Sequence, residues 1–241
     1  MTALLVRRSV AGMARQPGAW LPGLLFPLLI AAVFTANYGR AGVLLGLPEG
    51  ASYLSFILPA AVIVGGLYAG VAAGTAVTSD LTGGFLSRMA LTPMPRAMIL
   101  VGPLAAAALQ GLLQGSLFVL VFGALGAETN GAEAVVCTAP LLAVAMAGLT
   151  IALGLKAGTG EIMISLFGLL FLCLFVSSAF FPAGYMQGWF GAVAQYSPFT
   201  WLADGLRAGD LAKAAGTALG LGVLTVAWAL SALYRTTGGE P

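Results

Sequence analysis

Residues 53–78 read Tyr53-Leu-Ser-Phe-Ile-Leu-Pro-Ala-Ala-Val-Ile-Val-Gly-Gly-Leu-Tyr-Ala-Gly-Val-Ala-Ala-Gly-Thr-Ala-Val-Thr78, without one charged side chain. A helix needs about 20 mainly apolar residues to cross a hydrocarbon core roughly 30 Å thick, and barrel strands are shorter and alternate. A run this long and this unalternating therefore spans a membrane as a helix, which pairs all its backbone groups internally. Five further runs share the pattern: Gly18 to Ala36, Ala97 to Leu125, Ala134 to Leu155, Ile162 to Phe181 and Ala214 to Tyr234. The expected fold class is all-α: a polytopic membrane protein with six transmembrane helices, an N-terminal amphipathic surface helix and short re-entrant helices before the last span. No Ser-rich or charged linker divides the chain, so residues 1–241 read as a single transmembrane domain.

Composition agrees. Hydrophobic residues make up 60 % of the chain and charged residues 7 %, against roughly 25 % charged in a soluble domain. Nucleic-acid binding is excluded, because phosphate recognition needs clustered Lys and Arg. The chain has no His, which removes His metal sites, Ser-His-Asp triads and imidazole proton relays. Cys137 and Cys173 lie inside apolar runs and read as small hydrophobes.

Lys and Arg near the span ends set orientation. With the N-terminus inside, the cytoplasmic segments carry Arg7, Arg8, Arg15, Arg88, Arg96, Lys156 and Arg235, and the outer ones Arg40, Arg207 and Lys213. Both termini are expected in the cytoplasm. The first span has a longer apolar core than a signal peptide and reads as an anchor. Within residues 1–16, Val6, Val10 and Met13 share one helical face and Arg8 and Arg15 another, as in a helix lying at a membrane interface.

Gly66, Gly70 and Gly74 recur at four-residue spacing, a stripe that lets a second helix approach closely. Gln110 and Gln114 lie one turn apart; they line a substrate path, or they hydrogen-bond between helices, and the sequence leaves both readings open. No ionisable residue falls at mid-span. Ion-coupled carriers and voltage sensors place such groups there, so the energy source is expected outside this chain.

Two connections carry more than connection requires. In residues 80–96, Asp80 is positioned to cap a short helix that Pro93 ends; the helix offers Phe85, Leu86, Met89 and Leu91 to a soluble partner, with Arg88 and Arg96 alongside. Residues 182–210, with Phe180 and Phe181 before them, are too apolar for a free loop and too broken by Pro and Gly to span. Short helices dipping into the outer leaflet fit, with Tyr185, Trp189, Tyr196 and Trp201 at headgroup depth and Asp204 paired with Arg207 three residues on.

The loop residues Asp80, Gly83 or Gly84, Arg88, Pro93, Arg96 and Gly102, with the stretch from Phe181-Pro182 through Trp189 to Ser197-Pro198, Asp204 and Arg207, resemble the ABC-2 type permeases, in particular the daunorubicin-resistance-like drug exporters. The chain departs from that pattern at Met186-Gln187, where Met-Pro is frequent, and at Ser197-Pro198, where Asn-Pro is frequent. The resemblance implies a permease of the bacterial cytoplasmic membrane, not itself an enzyme, that pairs with a second permease subunit, identical or different, and with two ABC ATPase subunits. ATP and Mg would sit on those partners; this chain has no G-x-x-x-x-G-K-[ST] phosphate loop. It further implies that Asp80, Gly84, Phe85, Arg88, Met89, Pro93 and Arg96 couple to the ATPase, and that Gln110 and Gln114 face the path between the second and fifth spans. Phe180, Phe181, Pro182, Tyr185, Trp189, Pro198, Asp204 and Arg207 would form the outer gate. Implied cargo is hydrophobic or amphiphilic (drug, lipid or glycolipid), with a lipid-linked glycan or polysaccharide as the alternative. A channel, a secondary carrier or a lipid-modifying enzyme stays open on weaker grounds.

Overall fold

A computed structural model describes residues 2–39, 52–91, 94–128, 131–236 and 238. Its helices are α1 (Thr2–Arg15), α2 (Pro17–Tyr38), α3 (Tyr53–Thr82), α4 (Phe85–Ala90), α5 (Met98–Ala124), α6 (Ala132–Ala157), α7 (Ile162–Phe175), α8 (Gly188–Tyr196), α9 (Pro198–Arg207) and α10 (Leu211–Thr236), with a 3₁₀ turn at Ala183–Tyr185. The described residues form no strand. Five helices, α2, α3, α5, α6 and α10, are long and apolar enough to cross a membrane.

Boundaries follow local chemistry. Pro17 opens α2, where a missing N–H is no loss. The Ser52 hydroxyl accepts from Leu54 N at 3.1 Å to cap α3. Gly158, at φ +71°, closes α6 in the left-handed conformation.

The α3 helix forms the centre, packed by α2, α5, α6, α7 and α9. The glycine stripe is what lets α6 reach it. Cβ atoms at Gly66, Gly70 and Gly74 would lie 3.0 Å from Leu142 Cγ, 2.6 Å from Met146 Cβ and 2.8 Å from Thr150 Cβ, three residues one turn apart on α6. At that closeness the Thr150 hydroxyl donates across the interface to the Gly70 carbonyl at 2.6 Å. Gly70→Ala is therefore expected to lower the apparent Tm of the detergent-purified protein, since overpacking of this kind costs about 1–3 kcal/mol. Gly216→Ala, where an added Cβ meets nothing, is the control and is expected to leave Tm unchanged or raised; equal effects at the two sites would contradict the packing assignment.

The fifth span departs from expectation. The apolar run reaches Phe181, yet helix α7 ends at Phe175. Its 14 residues cover about 21 Å at 1.5 Å per residue, short of a full crossing. Ser177 is the local cause: its hydroxyl donates to Leu174 O at 2.5 Å and accepts from Ala179 N at 3.3 Å, so the side chain takes over bonds that a helix would make.

Candidate functional site

Chemistry-bearing residues gather at the two ends of the bundle and in a cleft between them. At the first end, α1 crosses the start of α5. Gly102 makes this possible, since a Cβ there would lie 2.6 Å from Ser9 Oγ and 2.8 Å from Leu5 O. Arg8 then grips Asp80 with both guanidinium nitrogens, Nη1 to Oδ2 at 2.9 Å and Nη2 to Oδ1 at 2.5 Å, while its Cζ stands 4.0 Å from the Phe85 ring centroid. The hydrogen bond to Asp80 raises the Arg8 pKa above its ordinary value. One arginine thus ties α1, α3 and α4 together.

This geometry corrects two expectations. Asp80 does not cap α4: it lies within the last turn of α3, and the residue preceding α4 is Gly84 in the left-handed conformation at φ +69°. Leu86 is not offered to a partner, because it is 1 % exposed and packed in a cluster with Val77, Leu100, Leu155 and Leu233. Arg88 and Leu91 are exposed, and Phe85, Met89 and Arg96 are half-buried. Pro93 lies outside the described residues.

At the opposite end, residues 176–182 run without helix, with Ser177, Ser178, Ala179 and Phe180 buried. Buried non-helical backbone has to find its partners in protein; Arg207 of α9 supplies two of them, and the Tyr53 hydroxyl donates to a third, Phe180 O, at 2.9 Å. The Arg207 Nη2 donates to the carbonyls of Ser178 at 2.7 Å and Ala179 at 2.8 Å, its Nε to Phe56 O at 3.2 Å, and its Nη1 to Ser178 Oγ and Asp204 Oδ1, each at 3.3 Å. The guanidinium also sits 3.7 Å from the centroid of the Phe56 ring. The Thr200 hydroxyl accepts from Ser178 N at 3.0 Å and donates to Ala194 O at 2.6 Å. Arg207, counted from the sequence as an outer-loop charge, is a half-buried connector, its side chain 17 % exposed.

Of the residues expected at this end, Phe180, Asp204 and Arg207 come together, with Phe181 on Phe34 and Tyr38 at 5.9 and 5.6 Å between ring centroids. Pro182 is half-buried, and Pro198 opens α9 directly after Ser197, which links α8 to α9. Tyr185, Trp189, Tyr196 and Trp201 stand outward, 45–79 % exposed, where a headgroup belt would hold them. Sequence reading missed a chain of touching aromatic rings that starts on α3 and follows α7: Tyr68 to Phe167 at 4.5 Å, Phe167 to Phe171 at 5.8 Å, Phe171 to Phe175 at 5.3 Å and Phe175 to Phe180 at 4.7 Å. The spacing of Phe167, Phe171 and Phe175 was its available signal.

Between the ends, a cleft of about 710 Å³ is enclosed by α1, the start of α2, α3 and α5. Gln110 borders it. Gln114 does not; it is packed where Cβ atoms at Gly23 and Gly65 would lie 2.7 Å from its Nε2 and 3.2 Å from its Oε1. Gln110 Nε2 and both amide atoms of Gln114 are buried without a hydrogen-bond partner. No cluster of metal-ligating side chains occurs among the described residues.

Residues 2–211 match the family described as ABC-2 type transporter. A protein of Cyanophora paradoxa, ycf38, named as a candidate transport permease, is 25 % identical over 210 residues, covering 85 % of this chain and 72 % of its own.

Proposed function

The chain belongs to the ABC-2 type transporter family, and from its place there as a permease subunit we propose that it is the membrane half of an ATP-driven exporter of hydrophobic or amphiphilic compounds. In this reading it lies in a bacterial cytoplasmic membrane with both termini and the α1/α4 end inside. Two ATPase subunits bind that end and carry ATP and Mg. A second permease subunit lies against α7, whose outward Ile164, Leu169 and Leu172 are 80, 58 and 63 % exposed and form an apolar face. Drug, lipid or glycolipid cargo then passes between paired subunits toward the end held by Phe180, Asp204 and Arg207.

The observation that carries the proposal is the three-way junction at Arg8. It makes α1, α4 and the end of α3 one block, continuous with a long spanning helix, so a push on α4 reaches the membrane interior without a loose joint. Exposed Arg88 beside Leu91, itself 87 % exposed, presents the apolar-plus-arginine surface that interface centres favour.

Co-purification with the ATPase encoded nearest to this chain tests it, comparing wild type with a variant carrying Ala at Phe85, Arg88, Met89 and Leu91. Loss of the complex with membrane insertion intact is the expected result. A variant that binds its ATPase and stimulates hydrolysis in lipid as wild type does would overturn the coupling role of α4.

A further inference from the structure

The cleft beside α1 has the dimensions and polarity of a site for a lipid-like acid. We propose that it takes a membrane-dissolved anionic amphiphile from the leaflet bordering the α1/α4 end, with its chain inside and its acidic group at Arg15. Only its role as a loading site rests on the exporter reading.

Size and depth argue first. Its volume of about 710 Å³ lies within the roughly 300–1,000 Å³ of small-molecule pockets. Along α3 the lining runs from Asp80 at the mouth to Tyr68 at the inner end, a rise of about 18 Å at 1.5 Å per residue. That is slightly more than half of a hydrocarbon core roughly 30 Å thick, the reach of one acyl chain. The walls between are small and apolar: Ala69, Val71, Ala72, Ala76 and Ala106. Such a surface admits a flexible chain, with Thr75 and Gln110 the polar side chains along it.

Charge argues second. Asp80, at the mouth, is matched by Arg8. Arg15, also lining the mouth and exposed, has no acidic partner among the described residues, and Ser9, Gln16 and Ser79 beside it add hydrogen-bonding groups. The mouth therefore carries one unmatched positive charge at the depth where a lipid acid would lie.

The test uses the full chain in phosphatidylcholine nanodiscs, with displacement of a spin-labelled fatty acid by stearate and by stearyl alcohol. Stearate is expected to bind about threefold more tightly than the alcohol, the effect of an ion pair with an exposed arginine. Arg15→Gln should erase the difference, and Ala76→Trp, at an exposed lining position, should block both ligands. Equal binding of acid and alcohol by wild type overturns the proposal, as does undiminished binding by a folded Ala76→Trp. If that variant does not fold, the Arg15→Gln comparison decides alone, since a structural defect would weaken acid and alcohol alike. No ATPase is present, so a failure of the exporter reading leaves this binding pattern intact, and the reverse holds equally.

Discussion

Arg207→Met is expected to destabilise the protein by about 3 kcal/mol. Removing one partner of a buried charged network costs about 3–5 kcal/mol, and the lower end applies because the Asp204 side chain is 43 % exposed and stays partly in water. The carbonyls of Phe56, Ser178 and Ala179 lose their Arg207 donors in one step. Ser178 and Ala179 sit where α7 has stopped and helix cannot supply a replacement. Arg207→Lys should recover only part of the loss, because an ammonium lacks the planar fork that reaches Phe56 on one side and Ser178 and Ala179 on the other. Asp204→Asn, at a half-wet carboxylate, should cost less than about 1 kcal/mol. Thermal unfolding in detergent orders the three variants, and limited proteolysis adds a local readout: cutting within residues 176–182 should rise in Arg207→Met before the spans unfold. A Met variant as stable and as resistant as wild type would show that the non-helical segment is held without Arg207, by the Thr200 and Tyr53 hydroxyls and the packing of Phe175 and Phe180.

What the sequence could show depended on whether the deciding partner was near in the chain. The spans announce themselves because an uncharged run such as 53–78 has one solution in a bilayer, and the observed α3 extends that run only to Thr82. The glycine stripe at Gly66, Gly70 and Gly74 is legible as a packing face, although not which helix it meets. The early end of α7 is not legible from its own residues, since Ile162 to Phe181 is apolar nearly throughout. Ser177 supplies a local alternative to the helix, but the carbonyls released beyond it are matched by a guanidinium 28 and 29 residues further on. Asp80 misleads for the same reason. Its position before a short helix suggests a cap, whereas the charge that claims it comes from Arg8, 72 residues earlier. Leu86 looks available as long as its short helix is placed on the surface; in the fold its inner face closes the cluster that Leu155 and Leu233 bring from α6 and α10.

The second large effect is expected on coupling rather than on stability. Asp80→Arg sets a second cation against Arg8, so α1 and the end of α3 repel where they now pair, and the hold of Arg8 over Phe85 goes with it. Little stability is at stake: the side chains of Arg8 and Asp80 are 49 and 21 % exposed, and an exposed pair contributes about 0.2–1 kcal/mol, less in salt. Under the proposed function, the junction matters because it would make α1, α3 and α4 move together. With it broken, ATP-driven motion at α4 would dissipate in a loose joint, and substrate-stimulated hydrolysis in reconstituted complexes is expected to fall about tenfold, within the range of ordinary coupling free energies, while Tm changes by little. The reciprocal exchange, Arg8→Asp with Asp80→Arg, restores opposite charges across the same gap and should recover much of the coupling, although the shorter carboxylate on α1 cannot reach over Phe85 as the guanidinium does. A single variant that couples normally would remove the junction from the transmission path; a double variant no better than the single one would mean that the cation on Phe85, rather than the ion pair, holds the block together.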